Sequence, residues 1–260
     1  MVVTRADVLD VVASTLAAEC GCQPGDFAGD GIRLSVVPPA RGGDTVGRRF
    51  PRDSHSLTIA TMGAAAVVAA TPTWMPWATE LFGEADPREI FGARLLGAAA
   101  RRVSRHSRSL HGPLLYACAS RTDWRAREAP RGYRVTVGGA ELMEPLSSHE
   151  WPNAASPRAA VQGRAVAVAA VATERDRVAG VATATSDSDD LWQIGVDVRA
   201  EQRGRGLGAA LTSRVTDAVL GAGRVPYYGT APDNVASRRV AHAVGFFPVW
   251  VSAFTSATAG

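Results

Sequence analysis

The amino-acid sequence predicts an α/β (α+β) protein whose second half forms a mixed, mostly antiparallel sheet flanked by helices. Three strand-like segments at 165–173, 178–185 and 191–198 are separated only by short polar turns, as in an antiparallel meander. A glycine-rich turn then opens a helical pattern at 207–220. The predicted order ends with a strand at 225–230, a helix at 234–244 and a strand at 246–254.

The first half predicts a separate α/β region without a recognisable motif. Asp7 lies three residues after Thr4, which is capping-box spacing, and an apolar-periodic helix at 5–19 follows. The other predicted elements of this half are a strand at 32–37, a polar loop at 40–53, one or two buried strands at 57–71, a helix beginning near Thr73, a helix at 87–103, and strands at 114–119 and 133–137. We therefore expect two domains, 1–132 and 133–260.

The composition narrows the class of protein. A chain of 260 residues with 46% hydrophobic residues can bury one large core or two small ones. All 28 basic residues are arginine, and the formal charge of +3 gives no support to a dedicated nucleic-acid binder. The 3 cysteines, an odd number, and the lack of a signal-peptide pattern predict a cytoplasmic protein. We expect neither a metal site nor a membrane span, because no ligand spacing or sufficiently long apolar run occurs.

The most informative segment is the glycine-rich turn within residues 198–209, VRAEQRGRGLGA. Its glycines stand where a helix exposes unpaired N–H groups, an arrangement that favours a phosphate or pyrophosphate. A P-loop is excluded because no Gly-Lys-Ser/Thr follows. A dinucleotide fingerprint fits residues 204–209, but the preceding strand ends a meander and the next strand, 225–230, carries no acidic residue for a ribose.

Two motifs together resemble the GCN5-related N-acetyltransferase (GNAT) family. Arg203, Gly206 and Gly208 take the places of that family's arginine or glutamine followed by x-x-Gly-x-Gly/Ala. Residues 234–246 are similar to its second signature, an Asn, a helix and then Gly-Phe. The resemblance covers roughly residues 135–254 and extends to a two-part bacterial branch of the family.

The resemblance implies acetyl-CoA as co-substrate, with the pantetheine arm against free strand backbone and the pyrophosphate on the turn. The implied cofactor-binding residues lie at the strand end, in the turn and at the next helix start: Val196, Asp197, Val198, Arg203, Gly204, Arg205, Gly206, Leu207, Gly208, Ala209, Asn234 and Ser237. It also implies a backbone oxyanion donor near Val198. Asn234 is equally explained as a plain N-cap.

The implied reaction is direct attack of a primary amine, most simply of a small molecule, on acetyl-CoA through a tetrahedral intermediate. Many members carry a tyrosine seven residues after the Asn, a position held here by Ala241. Ser237, Tyr228 and its neighbour Tyr227 are the nearest candidate acids, although the tyrosines can equally be packing residues. Asp197, within an otherwise apolar strand, is a candidate base or a residue that points outward or holds a loop. The exposed-loop pair His149 and Glu150 is a further candidate base.

Two other functions stay open at this point. Loss of the tyrosine at position 241 is also compatible with a non-catalytic acyl-CoA-binding protein, and an acetyltransferase of this type can act on a protein amine. We expect the first half to form an acceptor-side wall. A stripe of arginines at 94, 101, 105 and 108 is explained either as a solvated face or as a contact surface, for example in a homodimer.

Overall fold

A computed structural model describes residues 2–38, 46–49, 55–155 and 165–257. Most of the predicted 40–53 loop lies outside these ranges. The α-helices of the described residues are α1 (Arg5–Cys20), α2 (Met75–Phe82), α3 (Ala93–Ser104), α4 (Leu207–Gly221) and α5 (Val235–Val244). Their strands are β1 (Ile32–Val36), β2 (Leu57–Thr61), β3 (Ala66–Ala70), β4 (Arg108–Cys118), β5 (Arg134–Gly138), β6 (Val166–Glu174), β7 (Arg177–Ser186), β8 (Leu191–Val198), β9 (Val225–Thr230) and β10 (Phe247–Ala257).

The chain divides into two compact units. Unit I consists of Met1–Val11 and Ala117–Pro248, and unit II of Val12–Tyr116 and Val249–Gly260. The sequence-based division at 132/133, which assigns acetyl-CoA binding to residues 133–260, stays a prediction. Among the described helices, none is both long and apolar enough to cross a bilayer.

Unit II contains the strands β1, β3, β2 and β10, which lie side by side in that order. β1 and β3 are parallel, whereas β2 is antiparallel to both of its neighbours. The apolar run at 57–71, predicted as one or two buried strands, forms two strands that pair with each other. Helices α2 and α3 bury Phe82, Leu95 and Ala99 in a cluster with the side chains of these strands.

Unit I contains the predicted meander. β5, β6, β7 and β8 are joined in consecutive antiparallel pairs, and β9 adds to β8 in the parallel direction. Its core lies where α4 buries Leu207, Leu211 and Val215 against alanine-rich strand faces. The alanines of β6 and β7 leave room for a close approach of the helix, since small side chains add little thickness between layers. The predicted fold class, a mixed and mostly antiparallel sheet with helices, is confirmed.

Two elements of the first half differ from the sequence prediction. The helix predicted at 87–103 begins later than expected, because residues Pro87–Glu89 form a separate 3-10 turn and α3 begins only after Gly92. The Ile90 N–H donates to the Pro87 carbonyl at 3.3 Å and closes that turn, and the Gly92 N–H then donates to the Glu89 carbonyl at 2.7 Å. The strand predicted at 114–119 is too short, because β4 already begins at Arg108 and continues through Pro113. Proline normally ends or interrupts a strand, which is why the sequence pattern hid this part.

Gly245, the glycine of the second motif, offers a test of this fold, because replacing it should lower the free energy of unfolding. Gly245 ends α5 at φ +100°, and a Cβ there would lie 1.9 Å from the Asp123 carbonyl oxygen. Gly245→Ala is therefore expected to lower the free energy of unfolding by about 3 kcal/mol, the sum of left-handed strain and a forced backbone shift. Gly223→Ala is the matched control, since φ is +72° but no atom lies within 4 Å of its Cβ. Equal losses for both variants in urea unfolding would contradict the Gly245–Asp123 contact.

Candidate functional site

The site is built around a fork between β8 and β9. The two strands pair only from Leu191 with Val225 to Gln193 with Tyr227. β8 then continues to Val198 on its β7 partner, whereas no rung with β9 is formed among these described residues. The parallel pair thus opens towards the carboxyl ends of both strands, where crevices of α/β sheets bind ligands.

The backbone N–H groups of β8 point alternately towards the two edges of the strand. The Arg199 N–H donates to the Ala179 carbonyl at 3.0 Å, and the register pairs Val198 with Gly180. Because donor direction alternates along an antiparallel strand, Asp197 bonds towards β7, while Val196 and Val198 direct their N–H groups to the open side. Two of the three predicted strand residues therefore present backbone to the fork. The Val198 carbonyl accepts a bond from Arg203 Nε at 3.1 Å.

The glycine turn follows directly at the end of β8. Gly204 and Gly206 have φ values of +77° and +87°, and Gly206 is the N-cap of α4. Nothing lies within 4 Å of where a Cβ would stand at either residue, so both glycines border open space. The first turn of α4 leaves the N–H groups of Leu207, Gly208 and Ala209 without helical acceptors. These exposed donors and the positive end of the helix form a cradle suited to an anion.

Side chains distant in sequence hold the turn in place. Gln202, one residue before Arg203, accepts a hydrogen bond from the Tyr133 hydroxyl and donates to Glu174 Oε2 at 3.0 Å. Arg205 Nη1 reaches the same tyrosine hydroxyl at 3.4 Å. The turn is therefore tied to β6 and to the residue before β5. Sequence reasoning missed this support, because no local pattern connects residues 133, 174 and 202.

The start of α5 brings together three of the predicted site residues. Asn234 caps α5, since its Oδ1 accepts the Ser237 N–H at 3.1 Å. The Ser237 hydroxyl lies 2.9 Å from that of Tyr228, the first β9 residue beyond the paired rungs. Tyr228 is 4% exposed, and burial raises the pKa of its phenol above the ordinary value. The phenol is therefore protonated at neutral pH, a state in which it can donate a proton.

Ala241, at the place of the family's tyrosine, lies in the same buried cluster as Tyr228 and Phe246. The Tyr228 ring packs edge-on against Phe246 with centroids 5.7 Å apart. A tyrosine hydroxyl thus reaches the first turn of α5 from β9, although α5 itself carries none. The sequence analysis named Tyr228 and Ser237 as separate candidates, and the structure places their hydroxyl groups in contact.

The candidate bases have different surroundings. Both carboxylate oxygens of Asp197 accept hydrogen bonds from Asn153 and Ala154. Glu150 is exposed and pairs with Arg199, whereas His149 is exposed and has no ion pair among the described residues. His242, on α5, is also exposed.

The comparisons with known proteins agree with this geometry. Residues 138–246 match the model of the acetyltransferase (GNAT) family. A GCN5-related N-acetyltransferase from Kribbella flavida superposes with a TM-score of 0.50 at 18% identity, covering 80% of this chain and 88% of its own. Among curated proteins, no sequence matches.

Two further solved structures are similar at lower TM-scores. A tandem GNAT protein from the clavulanic acid biosynthesis pathway has 17% identity and a TM-score of 0.46, covering 100% of this chain and 98% of its own. The yncA protein of Salmonella typhimurium, solved with its cofactor acetyl-CoA, has 17% identity and a TM-score of 0.34, covering 50% of this chain and 95% of its own. The fork, the glycine turn and the capped helix all lie inside residues 138–246, the range that matches the model of the acetyltransferase (GNAT) family.

Proposed function

We propose that this protein is an N-acetyltransferase that moves the acetyl group of acetyl-CoA to the primary amine of a small molecule. The observation that carries the proposal is the junction of two features within unit I. The β8–β9 pair opens after Gln193, and the glycine turn follows at the end of the same β8 strand. A long ligand with amides at one end and a pyrophosphate at the other matches this pair of features.

The residues present fit the acetyl-CoA that the family implies. The N–H groups of Val196 and Val198 would bond the amides of the pantetheine arm. The N–H groups from Gly204 to Ala209 would bind the pyrophosphate, supported by the dipole of α4. Arg203 and Arg205 are exposed and add positive charge beside the turn. When bound, acetyl-CoA supplies an activated thioester for transfer to the amine.

Tyr228 is the proposed proton donor to the departing CoA thiolate, with Ser237 orienting the tyrosine hydroxyl. Three properties support it: the position directly beyond the last β8–β9 rung, the 2.9 Å contact with Ser237, and a pKa raised by burial. The backbone N–H of Val198, on the open edge of β8, is the proposed donor to the developing oxyanion. A backbone donor requires no particular side chain, so side-chain substitutions leave it intact.

We propose a small amine rather than a protein amine as the acceptor, with residues 150–155, which pack on β8 against Gly195 and Asp197, as one wall of the amine site. The alternative function is a non-catalytic acyl-CoA-binding protein, and the observation that favours it is Ala241 in place of the tyrosine. The cytoplasmic location and a homodimer stay predictions.

The proposal is tested by thiol release from acetyl-CoA in the presence of a panel of amines. The panel contains small aliphatic amines, aminoglycosides, amino acids and lysine-containing peptides, and mass spectrometry identifies an acetylated product. We expect amine-dependent release with at least one small amine and none with peptides. Tight acetyl-CoA binding without turnover on any amine would contradict the enzyme and support the binding protein. Turnover on peptides alone would contradict the small-molecule acceptor.

A further inference from the structure

We propose that Asp197 is a positioning residue that fixes residues 150–155 on β8 as the amine-side wall of the acetyl-transfer site. The inference rests on the proposed function for the identity of the amine side. The carboxylate accepts three N–H bonds from this segment: from the Asn153 backbone at 2.8 Å, from the Ala154 backbone at 2.9 Å and from Asn153 Nδ2 at 2.6 Å. Charge-assisted bonds to backbone amides are strong and directional, so they fix the segment and not only its side chains.

The strand is shaped to receive this segment. Side chains of β8 alternate between two faces, and Val196 and Val198 pack on the cluster beneath α4. Gly195 and Asp197 therefore share the other face. A Cβ at Gly195 would lie 2.2 Å from the Asn153 carbonyl oxygen, so only glycine permits the backbone of the segment to lie this close. Gly195 and Asp197 of β8 thus together form the surface that residues 153 and 154 contact.

Two further residues, Thr183 and Arg199, hold the segment in place. The Thr183 hydroxyl, opposite Gly195 in the β7–β8 register, donates to the Ala154 carbonyl at 2.7 Å. Arg199 pairs with Glu150, and its guanidinium lies 5.1 Å from the centre of the Trp151 ring. Trp151 is itself 1% exposed and packs with Ala154 and Val181. Arg199 directly precedes the 3-10 turn that leads to Arg203, so the segment and the anion cradle share one support.

These contacts favour a positioning role over proton transfer by Asp197. Its oxygens already accept bonds from three N–H groups of the segment. A base must also lie within hydrogen-bond reach of the proton that it removes. Asp197 instead faces the segment, and both of its carboxylate oxygens accept N–H groups of Asn153 and Ala154. The predicted consequence is that Asp197 governs use of the amine without affecting binding of acetyl-CoA.

The test compares Asp197→Asn with the control Asp176→Asn, whose carboxylate is on the exposed β6–β7 turn and pairs with Arg134. Hydrogen–deuterium exchange of a peptide spanning residues 150–155 is measured first. We expect at least tenfold faster exchange in Asp197→Asn and no change in the control. Gly195→Ala provides an independent variant, because it displaces the same segment while keeping the carboxylate. It is expected to reproduce the faster exchange.

Kinetics on the best amine of the panel then separate positioning from base catalysis. We expect the KM for the amine to rise about tenfold in Asp197→Asn, while the dissociation constant of acetyl-CoA stays within twofold. The pH profile of kcat should keep its acidic limb, that is, the decrease of kcat at low pH. A hundredfold or larger loss of turnover rate, together with loss of that limb, would identify Asp197 as the base and overturn the proposal. Unchanged exchange would overturn it as well. If no amine is acetylated, the proposed function and the amine-side role fail together, while the exchange result alone decides whether Asp197 fixes the segment.

Discussion

Replacing Gly206 by glutamate is expected to abolish acetyl-CoA binding, with a loss in affinity of at least about 100-fold. The glutamate side chain would extend from the N-cap of α4 into the open space that borders the exposed N–H groups. A carboxylate there is attracted by the helix dipole and competes with the pyrophosphate, which it also repels. Isothermal titration calorimetry with acetyl-CoA measures the change directly.

The control for Gly206→Glu is Gly223→Glu, near the other end of the same helix. Gly223 also has a positive φ, +72°, and open space at its Cβ position, so both substitutions impose about 1–2 kcal/mol of left-handed strain. Only one of them places a carboxylate at the helix N-terminus. We expect Gly223→Glu to bind acetyl-CoA like the wild type. Undiminished binding in Gly206→Glu would contradict the assignment of the turn.

Replacing Tyr228 by phenylalanine is expected to slow the turnover of acetyl transfer by about 100-fold, a typical contribution of a positioned general acid. The ring and its packing on Phe246 are retained, so the affinity for acetyl-CoA should not change. The wild-type kcat should fall at high pH, above the raised pKa of the Tyr228 phenol, because the acid works only while protonated. This alkaline limb is expected to disappear in the variant. Steady-state kinetics from about pH 6 to about pH 11, the range in which His, Cys and Tyr titrate, provide the measurement.

Tyr227→Phe is the matched control for Tyr228→Phe. It removes a hydroxyl from the neighbouring residue of the same strand, one that donates to Asp187 within the buried core. We expect it to lower thermal stability while kcat stays close to that of the wild type. A Tyr228→Phe variant that keeps its full turnover rate would exclude the phenol as the acid. If Ser237→Ala alone lost activity, the serine would take that role.

The sequence predicted unit I better than unit II, for a physical reason. The strands from β6 to β9 and both helices after the turn are local patterns bounded by glycine, proline or polar turns, and their observed ends lie within a few residues of the predicted ones. In the first half, the helix predicted at 87–103 was broken by Gly92 and the strand at 114–119 extended back through Pro113. Hydrophobic periodicity does not record such interruptions and continuations, because tertiary contacts decide them.

The parts of the candidate site that follow from the sequence are those set by local chemistry. The turn from Arg203 to Ala209 and the cap at Asn234 follow from local glycine and asparagine chemistry, which the sequence displays. The contacts of Gln202 with Tyr133 and of Asp197 with Asn153 join residues far apart in the chain. The same holds for the approach of Tyr228 to Ser237 across two elements. A single sequence contains no signal for such pairs, which depend on how the strands and helices come together.

The proposed function depends above all on the N–H groups of the glycine turn binding the pyrophosphate of acetyl-CoA. The most direct test is an amide ¹H–¹⁵N titration of the full chain with acetyl-CoA and, separately, with acetyl-pantetheine, which lacks the pyrophosphate. We predict that acetyl-CoA shifts the Gly204, Gly206 and Gly208 resonances and that acetyl-pantetheine leaves them in place while shifting those of Val196 and Val198. Saturation with acetyl-CoA without a shift at the three glycines would show that the glycine turn does not bind the pyrophosphate.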